Sequence, residues 1–195
     1  MDDLIAYLPM DRRFALAGGY TLADRTHGAA LFVDISGFTA LTEALVRELG
    51  PQRGAEELTR YLNLVYDAVI DELHHYGGSV IAFAGDAITC WLDGDNGLRA
   101  TACALAMQQA MAAFSAITTP AGSTVGLAMK AAVAAGSARR FLVGDPAQRV
   151  IDALAGATLV QLANAEHHAK RGEVVIEGAT LAALAPFINV AERRY

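Results

Sequence analysis

Two cysteines in 195 residues, Cys90 and Cys103, exclude a disulfide framework, and they form no Cys-x-x-Cys pair. So little cysteine suits a reduced intracellular setting, and a cytoplasmic location is expected. Charged residues are also scarce, at 18%, against about 25% in typical globular proteins. The net charge is −6 and the pI about 5.3. No basic stripe runs along the chain, and Arg139-Arg140 and Arg193-Arg194 read as isolated, solvated pairs. Nucleic acid is therefore not an expected partner. No uninterrupted apolar run reaches the ~18 residues of a membrane helix. The stretch 100–117 comes nearest, and Gln108-Gln109 interrupts it, so no membrane insertion is expected. Met1-Asp2-Asp3 is acidic where a signal peptide is basic.

Apolar residues are plentiful: 54% of the chain, 40 of the 195 residues being alanine. That excludes a disordered chain and supplies enough small, helix-favouring side chains for one well-packed domain. Residues 1–27 read as a lead-in with room for a short helix, and 28–195 as the domain. An apolar run at 29–35 suits a buried strand ending at Ser36-Gly37. A helix is expected over 38–49, stopped by Gly50-Pro51. Leu58, Leu62, Val65, Val69 and Leu73 then recur in steps of three and four, the stripe of a helix lying on a sheet. Strands at 79–83 and 87–92 flank Ala84-Gly85-Asp86 and read as a hairpin. A helix near 97–117 precedes strands near 125–135, 138–143 and 147–151. A helix near 155–169, a strand at 173–177, a short helix and a last strand near 187–191 complete the pattern. Strands and helices mix with at least one hairpin, which favours an α+β fold over a purely parallel one.

Two carboxylates close apolar strands. Asp34 follows Leu31-Phe32-Val33, and Asp86 follows Val80-Ile81-Ala82-Phe83 by a short turn. A carboxylate beside buried strands is costly unless paired or bound to a cation. Two such groups suit Mg²⁺ or Mn²⁺, which take oxygen ligands, and a metal pair can clamp a phosphoryl transfer. Spacing alone leaves a plainer option for each: Asp34 as a helix cap, Asp86 as a turn residue. Ser36-Gly37 opens the next helix, where free N–H groups suit phosphate. An aspartyl-nucleophile phosphatase is excluded, because Ser36 stands where its second aspartate belongs.

Together, Asp34-Ile35-Ser36-Gly37-Phe38-Thr39 and the segment Gly77-Gly78-Ser79-Val80-Ile81-Ala82-Phe83-Ala84-Gly85-Asp86-Ala87 closely resemble the class III adenylate/guanylate cyclase catalytic domain. The resemblance covers about 28–191 and is strongest to the first cyclase domain of bicarbonate-responsive soluble adenylyl cyclases and their bacterial relatives. Ala134-Ala135-Gly136 and Phe141-Leu142-Val143-Gly144-Asp145 support that subtype. It implies a ferredoxin-like βαββαβ core, a mixed or antiparallel sheet covered by helices. It also implies cyclisation of a nucleoside triphosphate with release of pyrophosphate, ATP being favoured over GTP. By the same resemblance Asp34, Asp86 and the Ile35 carbonyl would hold two divalent ions. Ser36, Gly37, Phe38 and Thr39 would cradle the phosphates. Lys130 falls where relatives carry a residue that contacts the triphosphate; a solvent-facing lysine at a strand start is the alternative.

The departures from the family pattern are as informative. Ala82 stands at the adenine-selecting lysine, and Arg149 aligns with the second base-selecting position. Gly156 and Val160 align with the transition-state asparagine and arginine. Alanine cannot donate a hydrogen bond to a base, and glycine and valine side chains cannot stabilise charge on the α-phosphate. The chain thus reads as the metal and phosphate half of a site, inactive or nearly so alone. A second, complementary cyclase-type domain docked head to tail would complete it. The alternative is a non-catalytic pseudo-cyclase with a regulatory or partner-binding role. A diguanylate cyclase is disfavoured, because residues 84–88 lack the Gly-Gly-Asp/Glu-Glu-Phe turn. The adjacent pairs His74-His75 and His167-His168 point different ways on a helix and read as helix-end groups. Cys90 and Cys103 read as packed residues, and Tyr61 and Tyr66 as core or interface.

Overall fold

The computed structural model describes residues 8–145 and 149–194, with the backbone alone at 149. The elements are α1 (Met10–Gly18), β1 (Arg25–Ser36), α2 (Phe38–Leu49), α3 (Pro51–His75), β2 (Ser79–Ala84), β3 (Ala87–Asp93) and α4 (Leu98–Met111). They continue with β4 (Ile117–Thr118), β5 (Thr124–Val125), β6 (Ala128–Asp145), β7 (Arg149–Ala155), α5 (Ala157–His167), β8 (Val174–Ile176) and α6 (Gly178–Leu184). The main sheet runs β2-β3-β1-β6-β7, with β8 parallel to β6, and β4-β5 form a separate small hairpin. β1, α3, β2, β3, α4 and β6 make the βαββαβ core, and the order β2-β3-β1-β6 is ferredoxin-like.

The apolar run in β1 has a simple cause: a central strand covered on both faces needs no polar alternation. Ala29, Leu31, Val33 and Ile35 pack in one core with Leu41 and Leu45 of α2, Val65, Val69 and Leu73 of α3, and Cys103 and Met107 of α4. Ala30 and Phe32 join a second cluster with Trp91 and with Leu162 and Ala165 of α5. The stripe expected on α3 is the face it buries: Val65, Val69 and Leu73 are inside, and Leu58 and Leu62 pack against them. Cys90 and Cys103 are free and buried, and burial pushes the Cys103 thiol up to about 12.

Four expectations are corrected. The strands expected at 125–135 and 138–143 are one strand, β6, which runs straight through Gly136. That glycine admits a helix rather than breaking a strand, since a Cβ there would stand 2.7 Å from Thr158 Oγ1 of α5. The helix near 97–117 ends at Met111; a 3₁₀ turn follows and Ile117 already lies in β4. The third strand reaches Ala155, past the expected 151, while residues 147 and 148 lie outside the described residues. Residues 187–191 form no strand: they find no partner on the sheet, and Phe187 and Val190 face solvent.

The arginine pairs are not simply solvated. Arg140 is buried. Its Nε donates to Asp152 Oδ1 (2.7 Å) and its Nη2 to Asp11 Oδ1 (2.9 Å). Arg12 Nε donates to the other oxygen of Asp152 (2.8 Å), so two salt-bridged residues of α1 tie that helix to the β6-β7 arm. Arg194 is held by Glu173 and Glu192.

Candidate functional site

The site begins with a register. β1 and β3 are antiparallel with Asp34 opposite Ala87, so Asp86, one residue earlier, stands beside the end of β1. The Ile35 N–H donates to the Asp86 carbonyl (3.3 Å), which fixes the two backbones together. The β2-β3 link is the two-residue turn Gly85-Asp86, and Gly85 takes the positive φ of 61° that such tight hairpins require. Asp34 does not cap α2. The capping position is Gly37, and no side chain caps that helix. The plainer reading of Asp34 is thereby removed, whereas Asp86 does lie in a turn.

Gly37 is required where it stands: its φ is 110°, and a Cβ would lie 2.6 Å from the Gly126 carbonyl oxygen. The tight entry leaves the first N–H groups of α2 without side-chain acceptors. Phe38 turns its ring into the core, Thr39 is exposed, and Ser36 Oγ donates to the Ala128 carbonyl (3.2 Å). A strand-end carboxylate, a turn carboxylate and an uncapped helix start thus converge at one end of the sheet.

Lys130 lies on β6 directly opposite Asp34. Its Nζ is 3.4 Å from Asp34 Oδ2 and 2.5 Å from Glu166 Oε1 of α5, and its side chain is only 25% exposed. It is not a solvent-facing lysine. The Glu166 hydrogen bond, followed by the charges of Glu166 and Asp34, holds the ammonium above the ordinary lysine range against the opposing effect of burial. Tyr66 is stacked on Phe38 (6.4 Å between centroids) and edge-on to Phe83 (5.9 Å). Burial raises its phenol above the ordinary value, and the negative charges of Asp86 and Asp34 both add to that rise. Both carboxylates are therefore felt at one point.

Sequence reasoning missed Glu166 and left Tyr66 undecided. A signal existed for each. Leu159, Leu162 and Glu166 share helical spacing, which puts a carboxylate on the sheet-facing side of α5. Tyr66 lies four residues after Leu62. Among the described residues no group of three or more His, Cys, Asp or Glu is placed to hold a metal, so the acidic donors here are a pair. That pair consists of acceptor-only oxygens, and the ammonium already beside Asp34 shows that the place attracts a cation. The donor set fits Mg²⁺ or Mn²⁺.

The residues that the resemblance aligns with the base-reading and transition-state positions are spread over β2, β7, and α5 with its cap. Ala82 is exposed on β2, beside a bulge between Val80 and Ala82. Gly156 is the capping residue of α5, and Val160 is an exposed residue of that helix. Arg149 opens β7 opposite Asp145. The histidine pairs lie in the last turns or at the ends of α3 and α5, as expected.

The fold recurs in known proteins. No known family profile matches the chain. Over 65 residues it is 43% identical to adenylate cyclase type 10 of Oryctolagus cuniculus, and over 61 residues 44% identical to that of Rattus norvegicus. The rabbit match takes in 33% of this chain and 4% of the relative, so the chain spans a small fraction of the curated proteins it resembles. The crystal structure of the guanylyl cyclase Cya2 superimposes with a TM-score of 0.70 at 25% identity, covering 89% of this chain and 86% of that one. The adenylyl cyclase CyaB from P. aeruginosa gives 0.65 at 22% identity, covering 85% and 83%. The guanylate cyclase domain of RhGC from Catenaria anguillulae, in complex with GTP, gives 0.63 at 17%, covering 83% and 84%. The fold is that of class III adenylyl/guanylyl cyclase domains, and the matched sequence supports such a catalytic domain here. Within that class the sequence likeness is to adenylate cyclase type 10.

Proposed function

We propose that this domain supplies the metal- and triphosphate-binding half of a cyclase site that converts a nucleoside triphosphate, ATP in preference to GTP, to the cyclic monophosphate and pyrophosphate. The observation that carries the reading is the convergence of Asp34 and Asp86 beside the uncapped start of α2, with Ala82 in place of a base-reading lysine. Asp34, Asp86 and the Ile35 carbonyl would hold two Mg²⁺ or Mn²⁺ ions, whose chemistry is to neutralise charge at the phosphates and activate the attacking oxygen. Ser36, Gly37, Phe38 and Thr39 bind the β- and γ-phosphates, chiefly through backbone N–H groups. Lys130 approaches the same phosphates from β6. A second cyclase-type domain, docked head to tail, brings the base-reading and transition-state side chains. Residues 28–195 constitute the cyclase domain and 1–27 its lead-in.

A pseudo-cyclase role is favoured by one observation: Ala82, Gly156 and Val160 leave three functional positions without a side chain that can donate a hydrogen bond. The two readings separate in one experiment. The purified chain is assayed with ATP and with GTP in excess Mn²⁺, alone and with a cyclase domain carrying the missing lysine, asparagine and arginine. The half-site reading expects no product alone, product on mixing, and loss of that product in Asp34→Ala. Product from the chain alone would refute the half-site claim. No product from a mixture shown to associate would leave the pseudo-cyclase.

A further inference from the structure

A lysine directly opposite an aspartate on a neighbouring antiparallel strand has its Cβ within about 5 Å of the partner's. Its default is to close on that aspartate. Lys130 faces Asp34 in this way, yet its ammonium lies nearer Glu166, at 2.5 Å against 3.4 Å. Glu166 projects from a packed helix. Its neighbours Leu162 and Ala165 are packed in the second core, which fixes the helix face it projects from. Among the described residues, the other basic side chain paired with it is His167, an exposed imidazole at 3.8 Å that carries charge only when protonated. Glu166 also lines a cavity of about 220 Å³ with Phe32, Thr89, Leu159, Leu162 and Ala163. None of those five side chains is charged, so they offer Glu166 no competing cation.

From this geometry we propose that Glu166 is a positioning residue: it draws the Lys130 ammonium away from Asp34 and so keeps the carboxylate pair open to a divalent cation. The inference rests on the metal-binding reading of Asp34 and Asp86 and adds a residue that the reading did not contain. Without Glu166, Lys130 settles on Asp34 and competes with the cation for the same oxygens. With Glu166, the arriving cation displaces an ammonium that already has a second anchor.

The test is a Mn²⁺ titration of the full chain without nucleotide, read by loss of the free-ion electron paramagnetic resonance signal. Glu166→Gln removes the charge. Glu166→Asp keeps the charge and shortens the arm by one methylene, so it is the variant least disturbing to folding, and thermal melts accompany both. Each is expected to weaken Mn²⁺ binding about fivefold, the scale of one partly exposed ion pair. In a Lys130→Gln background the same substitutions are expected to change it less than twofold. An equal loss in both backgrounds would mean that Glu166 acts as a bare negative charge, and the proposal fails. No loss in the parent background also overturns it. The underlying reading fails separately: Mn²⁺ would then not bind the parent chain, or would still bind Asp34→Asn, and the role of Glu166 falls with it.

Discussion

A Cβ on Gly37 would stand 2.6 Å from the carbonyl oxygen of Gly126. The chain crosses here between β1 and α2 while the link from β5 to β6 passes against it. Gly37→Ala therefore suffers twice, once from that overlap and once from a φ of 110° that side chains avoid. The expected cost is about 2 kcal/mol of stability, with displacement of the first turn of α2. Calorimetry reads the first effect. Loss of affinity for tripolyphosphate reads the second, and unchanged affinity in a folded variant would remove the loop from the phosphate site.

Adjacent arginines on β6 make a sharper contrast. Arg140 is buried between Asp11 and Asp152, whereas Arg139 is exposed and pairs with Asp24. Arg140→Met strips Asp11 of its ion pair and leaves Asp152 with Arg12 alone, a change that costs about 3 kcal/mol. In a chain of this size that is roughly 10 °C of melting temperature. Arg139→Met is expected to cost under ~0.5 kcal/mol. Equal melting temperatures for the two variants would show that the cluster does not anchor α1.

Which parts of this were legible in the sequence follows from how local their causes are. The bounds of α2 and the β2-β3 hairpin were readable because Gly50-Pro51 and Gly85-Asp86 announce them within a few residues. The same hairpin, with the run ending at Asp34, already put both aspartates at strand ends. Gly136 misled because its reason, the approach of Thr158, is 22 residues away in sequence. Arg140 misled likewise: a pair of arginines reads as solvated surface until Asp11, 129 residues distant in sequence, arrives beside it. Glu166 was hidden because its meaning depends on Lys130, on a different element.

Tyr66 supplies a spectroscopic test of the carboxylate pair. Its phenol is raised first by burial and then by Asp86 and Asp34. Ionisation adds a negative charge beside two others, so removing either carboxylate charge must lower the pKa. Asp86→Asn and Asp34→Asn are each expected to move it down toward the ordinary value without reaching it, because burial remains. Bound Mn²⁺ is expected to lower it in the parent chain. The tyrosinate absorbance band measures this, with Tyr66→Phe identifying the signal. A value indifferent to both aspartates would mean that their side chains do not converge there.

The segment after α6 gives the clearest pH dependence. Arg194 donates to both oxygens of Glu173 (2.6 and 2.9 Å) and to the His168 carbonyl at the end of α5 (2.6 Å). The Arg194 hydrogen bonds, with a further one from the Lys170 N–H, hold the Glu173 carboxyl at about 2, against an ordinary 4.5. A depressed folded pKa stabilises the folded state only where the unfolded carboxyl is ionised. The contribution is therefore complete above 4.5 and disappears as the pH falls from 4.5 to about 2. Arg194→Gln is expected to raise the Glu173 pKa to the ordinary range and to abolish that acid-dependent step. Carboxyl-carbon NMR shifts of Glu173 against pH, followed beside amide exchange in residues 186–194, measure both. A Glu173 titration near 4.5 in the parent chain would show that the clamp does not form in solution.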